Sequence, residues 1–507
     1  MLRGLLSFRG RYRILHMTWF AFFLTFVVWF NFAPLATAIQ EEFGFDAGQI
    51  RTLAICNVAL TVPARVIIGM LLDRFGPRVT FSGILIYAAI PCLTFSIAQD
   101  FNQMVISRLA LSIVGAGFVV GIRMVAEWFP PKEIGVAEGI YGGWGNFGSA
   151  ASAFTLATVA AWLSASSADV INWRAAIALT GIIAAVYGVI YFFSVQDTPP
   201  GKVYHRPERH GGIEVTSKKD FWFLLLMNVP LVGVLAVLAW RLYNVGFFDM
   251  TGLIVTWLAL LGLYLFQASR CWDVNKDLMT GKKHYPLEDR YDFSQVALLE
   301  LTYIVNFGSE LAVVSMLPAF FENTFLGLDK QAAGMIASSY AFMNLVSRPG
   351  GGLISDSMGS RKWTMVLLTG GLGIGYLFMS GINGTWWIPV AVILTMACSF
   401  FVQAAEGSTF AMVPLIKRRV TGQVAGNVGA YGNVGAVAYL TLFSFLPEGD
   451  VGNRVFFQTL GVAALVVGFL CWFCMKEPKN SFAEFHEGET DDLDAVPEPA
   501  VAGRGSE

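Results

Sequence analysis

The chain has 507 residues, of which 55% are hydrophobic and 14% are charged, and its mean hydropathy is +0.59. This composition excludes an ordinary soluble globular domain. The net charge is −2, and because no basic DNA-binding pattern appears we expect no nucleic-acid partner. Apolar segments long enough to cross a hydrocarbon core of roughly 30 Å recur along most of the chain. The sequence therefore predicts an all-α polytopic membrane protein in a lipid bilayer.

The apolar segments form two sets of six with a further pair between them. The first set predicts spanning helices at 16–39, 52–73, 79–99, 103–126, 137–163 and 172–195. The second set predicts them at 296–322, 331–355, 362–382, 386–415, 422–446 and 454–475. The pair between the sets lies at 221–243 and 249–270. It predicts an inserted hairpin, made either of two additional spanning helices or of two helices along the bilayer surface.

This pattern divides the chain into four regions. Six-helix halves are expected at 14–197 and 296–477. Between them, residues 198–295 form a central loop that contains the hairpin, at about 221–270. Residues 478–507 are rich in Glu, Asp, Pro and Gly, which predicts an acidic, disordered tail.

Basic residues concentrate in the loops that would lie on one side of the membrane. They include Arg3, Arg9, Arg11, Arg13, Arg74, Arg78, Lys202, Arg206, Lys417 and Arg418. By the positive-inside rule these loops and both termini lie in the cytoplasm, and the protein is placed in the cytoplasmic membrane. No cleavable signal peptide is expected, because the basic N-terminus leads into an apolar run of full spanning length.

Enzymatic chemistry has no support in the residue pattern. No nucleophile–base pair, phosphate-binding loop or group of metal ligands stands out, so we expect neither an enzyme nor a metal or cofactor site. Cys471 and Cys474 form a C-x-x-C pair inside the last predicted span, where helix packing is the simpler interpretation.

An internal repeat frames an arginine in the middle of the second predicted span. The stretch LTVPARVIIGMLLDRFGPR begins at residue 60 and matches NLVSRPGGGLISDSMGSR, which begins at residue 344. The match superposes Arg65 on Arg348, Gly69 on Gly352, Asp73 on Asp356, Gly76 on Gly359 and Arg78 on Arg361. Every pair is 283 positions apart (348 − 65), which predicts two homologous halves.

A second repeat relates the fifth and eleventh predicted spans of the two sets. It pairs AEGIYGGWGNFGSA with AGNVGAYGNVGAVA. The match superposes Gly139, Gly142, Gly145, Asn146 and Gly148 on Gly426, Gly429, Gly432, Asn433 and Gly435, at an offset of 287 (426 − 139). Small residues at this density predict helices in close contact.

These motifs resemble those of a known transporter family. The stretch G-x-L-x-D-R-x-G-x-R, from Gly69 to Arg78, is similar to the loop signature of the major facilitator superfamily. The two Gly/Asn stretches resemble the signatures of its nitrate/nitrite porter family. The resemblance implies a major facilitator fold of two pseudo-symmetric six-helix halves that transports nitrate and nitrite. It covers most of residues 14–478 but not the hairpin. Gating roles follow for Gly69, Asp73, Arg74, Arg78, Gly352, Asp356 and Arg361.

Arg65 and Arg348 are the leading candidates for substrate binding. A charged side chain in mid-helix costs about 2.5–3.5 kcal/mol on insertion scales, so intramembrane arginines usually serve function. If the two face each other across the halves, their planar guanidinium groups form a site for a flat oxyanion. The alternative is a structural ion pair with Glu127, Glu310 or Glu406.

Other candidate substrate contacts come from the Gly/Asn stretches and from aromatic residues. Gly142 leaves room beside the anion, and the side-chain amides of Asn146 and Asn433 can donate hydrogen bonds to it. The alternative for the two asparagines is a hydrogen bond to a neighbouring helix. The family resemblance adds Tyr303 and Phe307 in the seventh span, and Phe32 in the first, as rings that enclose the anion. Ordinary packing is the alternative for each ring.

The coupling mechanism has two candidates. An empty site with two positive charges would resist closing, which favours exchange of nitrate for nitrite. Uptake into a negative interior costs roughly 2.3 kcal/mol per charge per 100 mV, which two protons per nitrate would reverse. Glu310 and Glu406 are the candidate proton carriers, and proton-coupled uptake by a monomer is our leading hypothesis. A carrier for another small anion and a nitrate-binding membrane sensor remain the alternatives.

Overall fold

The computed structural model describes residues 2–483 except 165–170, 205, 207–210, 245, 288, 326, 329, 444 and 448. The described part of the chain is helical, and we number its fourteen long helices in chain order. The first half holds α1 Gly10–Phe43, α2 Gly48–Phe75, α3 Pro77–Ser96, α4 Phe101–Trp128, α5 Ile134–Trp162 and α6 Trp173–Ser194. The hairpin consists of α7 Lys218–Asn244 and α8 Met250–Met279.

The second half repeats the arrangement of the first. It holds α9 Phe293–Thr324, α10 (segments Lys330–Phe342 and Asn344–Ser357), α11 Arg361–Met379, α12 Ile388–Ile416, α13 Thr421–Phe443 and α14 Asp450–Cys474. Ten of the fourteen described helices are long and apolar enough to cross a membrane by length and composition. The other four, α5, α10, α11 and α13, contain many Gly residues. The all-helical fold with an inserted hairpin is confirmed.

Local sequence signals explain where several helices begin. Asp46, Asp100 and Asp249 each accept a hydrogen bond from a backbone amide three residues later, which satisfies an orphan donor of the first turn. Asp46 also forms a capping box with Gln49. The clearest departure from prediction is α8, which continues to Met279 rather than ending near residue 270. Its last turns are polar and carry Asn275 and Lys276, so hydropathy alone could not extend it.

Glycines bring the two halves into contact along two lines of the interface. A Cβ on Gly139 of α5 would lie 2.5 Å from the backbone oxygen of Arg348 on α10. A Cβ on Gly426 of α13 would lie 2.5 Å from the backbone oxygen of Arg65 on α2. Only glycine permits such approaches, and the two contacts are equivalent under the internal repeat. The predicted packing role of the Gly stretches is therefore seen in both halves.

The two halves are locked together at one end of the bundle. The carboxylate of Asp73 accepts from the amides of Gly422 and Gln423, each at 3.0 Å. The carboxylate of Asp356 accepts from the amides of Gly135 and Val136, at 3.1 and 2.8 Å. We call this end, which carries Arg74, Arg78 and Lys417, the basic end. It is closed in this structure, and carboxylates at helix N-termini hold it closed.

Other residues predicted to act in gating also lie at the basic end. The amide of Arg78 donates to Asp197 at 2.7 Å, and the amide of Arg361 donates to Glu477 at 2.8 Å. Arg74 lies over the ring of Phe75 at 5.0 Å. The Arg361 guanidinium is buried and contacts Asp356. It also donates to backbone oxygens of two other segments. These belong to Pro131, at 2.8 Å, and Ser481, at 3.4 Å.

The start of the predicted acidic tail is packed against this end. Ser481 is buried, and the ring of Phe482 lies 4.8 Å from the Arg361 guanidinium carbon. The amide of Lys132 donates to the backbone oxygen of Ala483 at 3.3 Å. Residues 478–483 therefore differ from a disordered tail, because they cover the Arg361 side chain. The rest of the predicted tail, 484–507, lies outside the described residues.

The hairpin packs on the line where α2 meets α13. Leu231, Val234 and Leu235 of α7 form one apolar cluster with Val62 of α2 and Tyr431 of α13. The Tyr431 hydroxyl donates to the backbone oxygen of Met227. By contrast, most of α8 faces away from the rest of the protein, since only 6% of an apolar 18-residue stretch of this helix is buried. The hairpin thus contacts both halves through α7 and presents α8 outward.

Candidate functional site

The two predicted arginines meet in the core of the bundle. The guanidinium carbons of Arg65 and Arg348 lie 5.3 and 5.8 Å from the centre of the Phe307 ring. Their side chains are 0% and 2% exposed. They come from α2 and α10, one from each half, so the site lies between the halves, where transporters of this architecture place substrates.

Arg65 is held by neutral groups. Its Nη1 donates to the backbone oxygen of Gly429, and its Nε donates to that of Gly115 at 3.4 Å. A Cβ on Gly429 would lie 3.2 Å from the Arg65 Cδ, so the missing side chain makes room for the arginine. Among the described residues Nη2 has no hydrogen-bond partner. Arg65 therefore offers a fixed positive charge with a free donor.

Arg348 is held by carboxylates. Its Nη2 contacts Glu406 Oε2 and lies 3.5 Å from Glu310 Oε2. Its Nε donates to Asn344 Oδ1 at 2.9 Å, and the Asn344 amide donates to Glu310 at 2.7 Å. Gly142 flanks this arginine as Gly429 flanks Arg65, since a Cβ there would lie 3.2 Å from Arg348 Nη1.

Two carboxyl groups lie beside the arginine pair. Arg348 contacts Glu310 and Glu406, whereas Arg65 is bonded to backbone oxygens. The expectation of a site with two arginines alone is therefore corrected, because acidic side chains share it. Of the carboxylates considered as ion-pair partners, Glu310 and Glu406 do pair with Arg348. Glu127 instead bonds Arg123 and Arg418, each at 2.8 Å.

Three aromatic rings lie nearly parallel across the site. Tyr303 stacks on Phe307 with ring centres 5.0 Å apart and planes 7° apart. Tyr303 is also parallel to Phe118, with ring centres 6.3 Å apart and planes 3° apart. Phe118 also lies 5.5 Å from the Arg65 guanidinium carbon. Parallel rings with cations at their faces form a slot suited to a flat anion bound by guanidinium groups.

A change of helical geometry places these rings. Residues Ile304–Gly308 form a π-helical turn directly after Tyr303, and Phe307 lies within it. Such turns widen the helix by one residue and are frequent at functional sites. The turn is stabilised locally, since Asn306 Oδ1 accepts from the Phe307 amide at 2.6 Å and Ser309 Oγ donates to the backbone oxygen of Val305 at 2.6 Å.

Buried polar atoms without partners surround the arginines. The Tyr303 hydroxyl finds no acceptor in the described part of the chain, although its side chain is fully buried. Asn146 Oδ1 and both amide atoms of Asn433 are likewise unpaired. The two asparagines follow Gly142 and Gly429 by one helical turn, on the same faces. Unpaired buried groups are costly, so their concentration here indicates a site that a polar ligand completes.

The structure does not bring Phe32 to this site. Its ring lies 5.3 Å from the guanidinium carbon of Arg108, in a cluster with Phe95. Arg108 also donates to Asn31 at 2.8 Å and to Asn57 at 2.6 Å. Phe118 occupies the place expected for Phe32. No motif marks Phe118, because it is one of many aromatic residues on apolar helices. Its proximity to Arg65, which is 53 positions away (118 − 65), exists only in the fold.

We expect Phe118→Leu to weaken the apparent affinity for the transported anion by up to about 30-fold. Leucine keeps the apolar volume but removes the aromatic face, and a cation–π contact in a dry site contributes about 2 kcal/mol. The dependence of initial uptake rate on anion concentration measures the change. Phe32→Leu is the matched control, since it removes a buried ring beside another arginine. Equal effects of the two substitutions would contradict the assignment of Phe118.

Two six-helix halves that enclose a buried polar site on their interface define a membrane transporter. The model of the Major Facilitator Superfamily matches residues 18–273 and 299–502. The chain belongs to that superfamily, and its resemblance to the nitrate/nitrite porter family is confirmed.

Named relatives agree with this family, and a solved structure has the same fold. "Nitrate/nitrite transporter NrtP" of Picosynechococcus sp. is 66% identical over 97% of this chain and 98% of its own length. A protein of the same description from Nostoc punctiforme is 58% identical over 96% of this chain and 97% of its own length. The solved proton:xylose symporter XylE has a TM-score of 0.59 at 14% identity, covering 92% of this chain and 96% of that chain. This last likeness concerns the fold alone.

Proposed function

We propose that this protein carries nitrate and nitrite across the cytoplasmic membrane by alternating access, with both termini in the cytoplasm. The observation that carries the proposal is the meeting of Arg65 and Arg348 over the Phe307 ring, with unpaired donors around them. Guanidinium groups and an aromatic slot match a planar, singly charged oxyanion. The names of the two similar cyanobacterial proteins support the same substrates.

The geometry suggests how a proton is coupled to the anion. Glu406 contacts the same Arg348 Nη2 that an anion would take, so the anion and the Glu406 carboxylate compete for one cation. When the anion wins, the displaced carboxylate is buried without its counter-charge and gains a proton. Binding of the anion thus promotes protonation of Glu406, and Glu310, which lies 3.5 Å from the same nitrogen, is the second candidate.

Charge balance favours uptake with two protons over obligatory exchange. When Glu310 and Glu406 are ionised they offset the charges of Arg65 and Arg348, so the site can close and return without a bound anion. Nitrate with two protons carries one net positive charge inward, so the membrane potential assists by roughly 2.3 kcal/mol per 100 mV. We infer that a monomer performs the cycle, since the described site is built from one chain.

Uptake into proteoliposomes tests the proposal. With an inward proton gradient of one pH unit, we expect nitrate to accumulate to a level at least about tenfold above the level reached without a gradient. One pH unit supplies about 1.4 kcal/mol per proton. Nitrite should compete with nitrate, whereas sulfate should not. Movement of nitrate only when nitrite is loaded inside would identify an exchanger. Binding without flux would identify a sensor, and faster transport of chlorate or formate would identify another substrate.

A further inference from the structure

Two carboxyl groups in the spanning helices stand apart from the site and have no partner in the part of the chain that the structure describes. They belong to Glu138 of α5 and Glu300 of α9, whose exposed fractions are 2% and 0%. Neither oxygen of either group has a hydrogen-bond partner among the described residues. By contrast, several other buried carboxyl groups of these helices contact cations or backbone amides. They include Asp73, Glu127, Glu310 and Glu406.

Both groups occupy related positions between the anion site and the basic end. Glu138 precedes Tyr141 by one helical turn, and Glu300 precedes Tyr303 by one helical turn. At 1.5 Å per residue, Glu138 lies about 6 Å along the axis from the start of α5, and Glu300 about 10 Å from the start of α9. Gly135, whose amide bonds Asp356 across the interface, is one turn from Glu138. Opening the basic end must therefore bring water towards these carboxyls.

The ionisable groups around Glu138 have partners of their own. Tyr141 on its own helix donates to the backbone oxygen of Phe118 at 2.7 Å. On the helices packed against α5, the paired groups are Arg11 with Glu133, Arg123 with Glu127, Arg348 with Glu406, and Asp356 with Arg361. The imidazole of His16 on α1 is bonded to Leu5 and Trp19.

The surroundings of Glu300 are similar. Tyr431 of α13 is within electrostatic reach of Glu300 and donates to Met227. On the other packed elements, Glu406 contacts Arg348, Lys476 bonds Asp292 at 3.0 Å, and Asp220 of α7 is hydrogen-bonded to Ser217 and to the Phe293 backbone. Tyr303 and Glu310, on the same helix as Glu300, belong to the anion site. Thus no cation compensates either carboxyl among the described residues.

We propose that Glu138 and Glu300 are proton-binding sites that link closure of the basic end to pH. An ionised carboxylate buried without a cation or donor is strongly disfavoured, so both groups are neutral acids in the closed conformation. When the basic end opens and water enters, they release protons as an exposed glutamic acid does above about pH 4.3. Closing this end again takes up two protons.

The sign of the effect follows from linkage. The closed conformation binds more protons than the open one, so acid stabilises closure and rising pH favours opening. Each carboxyl contributes about a tenfold change in the ratio of closed to open molecules per pH unit. These groups therefore regulate the conformational equilibrium, whereas Glu406 couples a proton to the anion itself. The inference deepens the proposed function, on which it rests for alternation between conformations.

Distances between spin labels at the basic end test the inference. Phe75 and Met358 are equivalent positions at the ends of α2 and α10 (358 − 75 = 283) and are 47% and 43% exposed. Cysteines introduced at these two positions carry the spin labels, and the exposed Cys474 is replaced by Ser. Double electron–electron resonance in lipid nanodiscs then measures the distance between the labels, which increases when the basic end opens. Equal pH on both sides and absence of nitrate make the readout independent of transport.

As the pH rises above about 4.3, the pKa of an exposed glutamic acid, we expect the ratio of closed to open molecules to fall by up to about 100-fold per pH unit. Glu138→Gln and Glu300→Gln should each reduce this to about tenfold, and the double variant should abolish it. Glutamine mimics the neutral acid, so these variants should fold and remain closed. Glu41→Gln, which removes an exposed carboxyl at the opposite end, should keep the full dependence.

Either of two results would overturn the inference. One is an intact protein whose closed fraction does not change with pH, and the other is a double variant that keeps the intact protein's dependence. Retained nitrate binding by the variants shows that they are folded. If nitrate uptake itself fails in proteoliposomes while the spin-label distances follow pH as expected, the proposed function is wrong and the proton-linked closure stands.

Discussion

Replacing Arg65 or Arg348 with lysine is expected to lower nitrate uptake by roughly 30- to 150-fold. Lysine keeps the charge but presents a point charge rather than a planar fork, so the anion loses at least one charge-assisted hydrogen bond of about 2–3 kcal/mol. Initial uptake rates in proteoliposomes measure the effect. Arg270→Lys is the matched control, because Arg270 is a half-exposed arginine outside the site, bonded to Asp273 at 3.4 Å.

The two lysine variants should differ in stability. Arg65→Lys leaves the backbone oxygens of Gly115 and Gly429 without their shared donor, so a lower melting temperature is expected. Arg348→Lys keeps a cation beside Glu406 and Glu310 and should melt nearer to the intact protein. Normal uptake by both variants would show that only positive charge matters here, and the proposed geometry of anion recognition would be wrong.

Glu406→Gln is expected to abolish proton-driven accumulation while preserving exchange. Glutamine has nearly the same shape but cannot take up a proton, so the competition between carboxylate and anion for Arg348 no longer moves a proton. The empty site also gains one net positive charge, which opposes its return without an anion. We expect accumulation under a proton gradient to fall at least about tenfold, since coupling to one proton per pH unit is lost.

Counterflow separates a coupling defect from a damaged site. In vesicles loaded with unlabelled nitrate, the Glu406→Gln variant should still exchange labelled nitrate at a rate close to that of the intact protein. Glu41→Gln should change neither measurement, because this exposed carboxyl lies at the end of the bundle opposite the basic end. If Glu406→Gln accumulates nitrate normally, Glu406 serves only as a counter-ion for Arg348, and the coupling proton is carried elsewhere.

The arginine pair could be predicted from the sequence because two physical signals coincide in it. A charge in an apolar span is costly, and a constant offset of 283 positions relates Arg65 to Arg348. Two-fold repetition then implies that the two residues lie at equivalent depths in opposite halves. Glu406 was recognisable as a buried acid on the same grounds. Its contact with Arg348 depends on how α12 packs against α10.

The rings of the aromatic slot could be predicted only in part from the sequence. Aromatic residues are frequent in apolar helices, and neither cost nor periodicity separates a ring in the site from a ring in the core. The family resemblance points to Tyr303 and Phe307, which lie in the site, and to Phe32, which lies beside Arg108 instead. The π-helical turn at Ile304–Gly308 was also beyond prediction, because it arises from local bonds of Asn306 and Ser309 rather than from a hydrophobic pattern.

The inserted hairpin makes the two sides of the molecule mechanically unequal. In the described residues α7 bridges α2 and α13, through Val62 and Tyr431 among others, while it makes no such bridge between α5 and α10. A rocking motion must therefore shear an apolar protein contact on one flank, whereas the opposite flank slides against lipid. The rotation axis should therefore lie nearer to the flank that α7 bridges, and the opposite flank should open more widely.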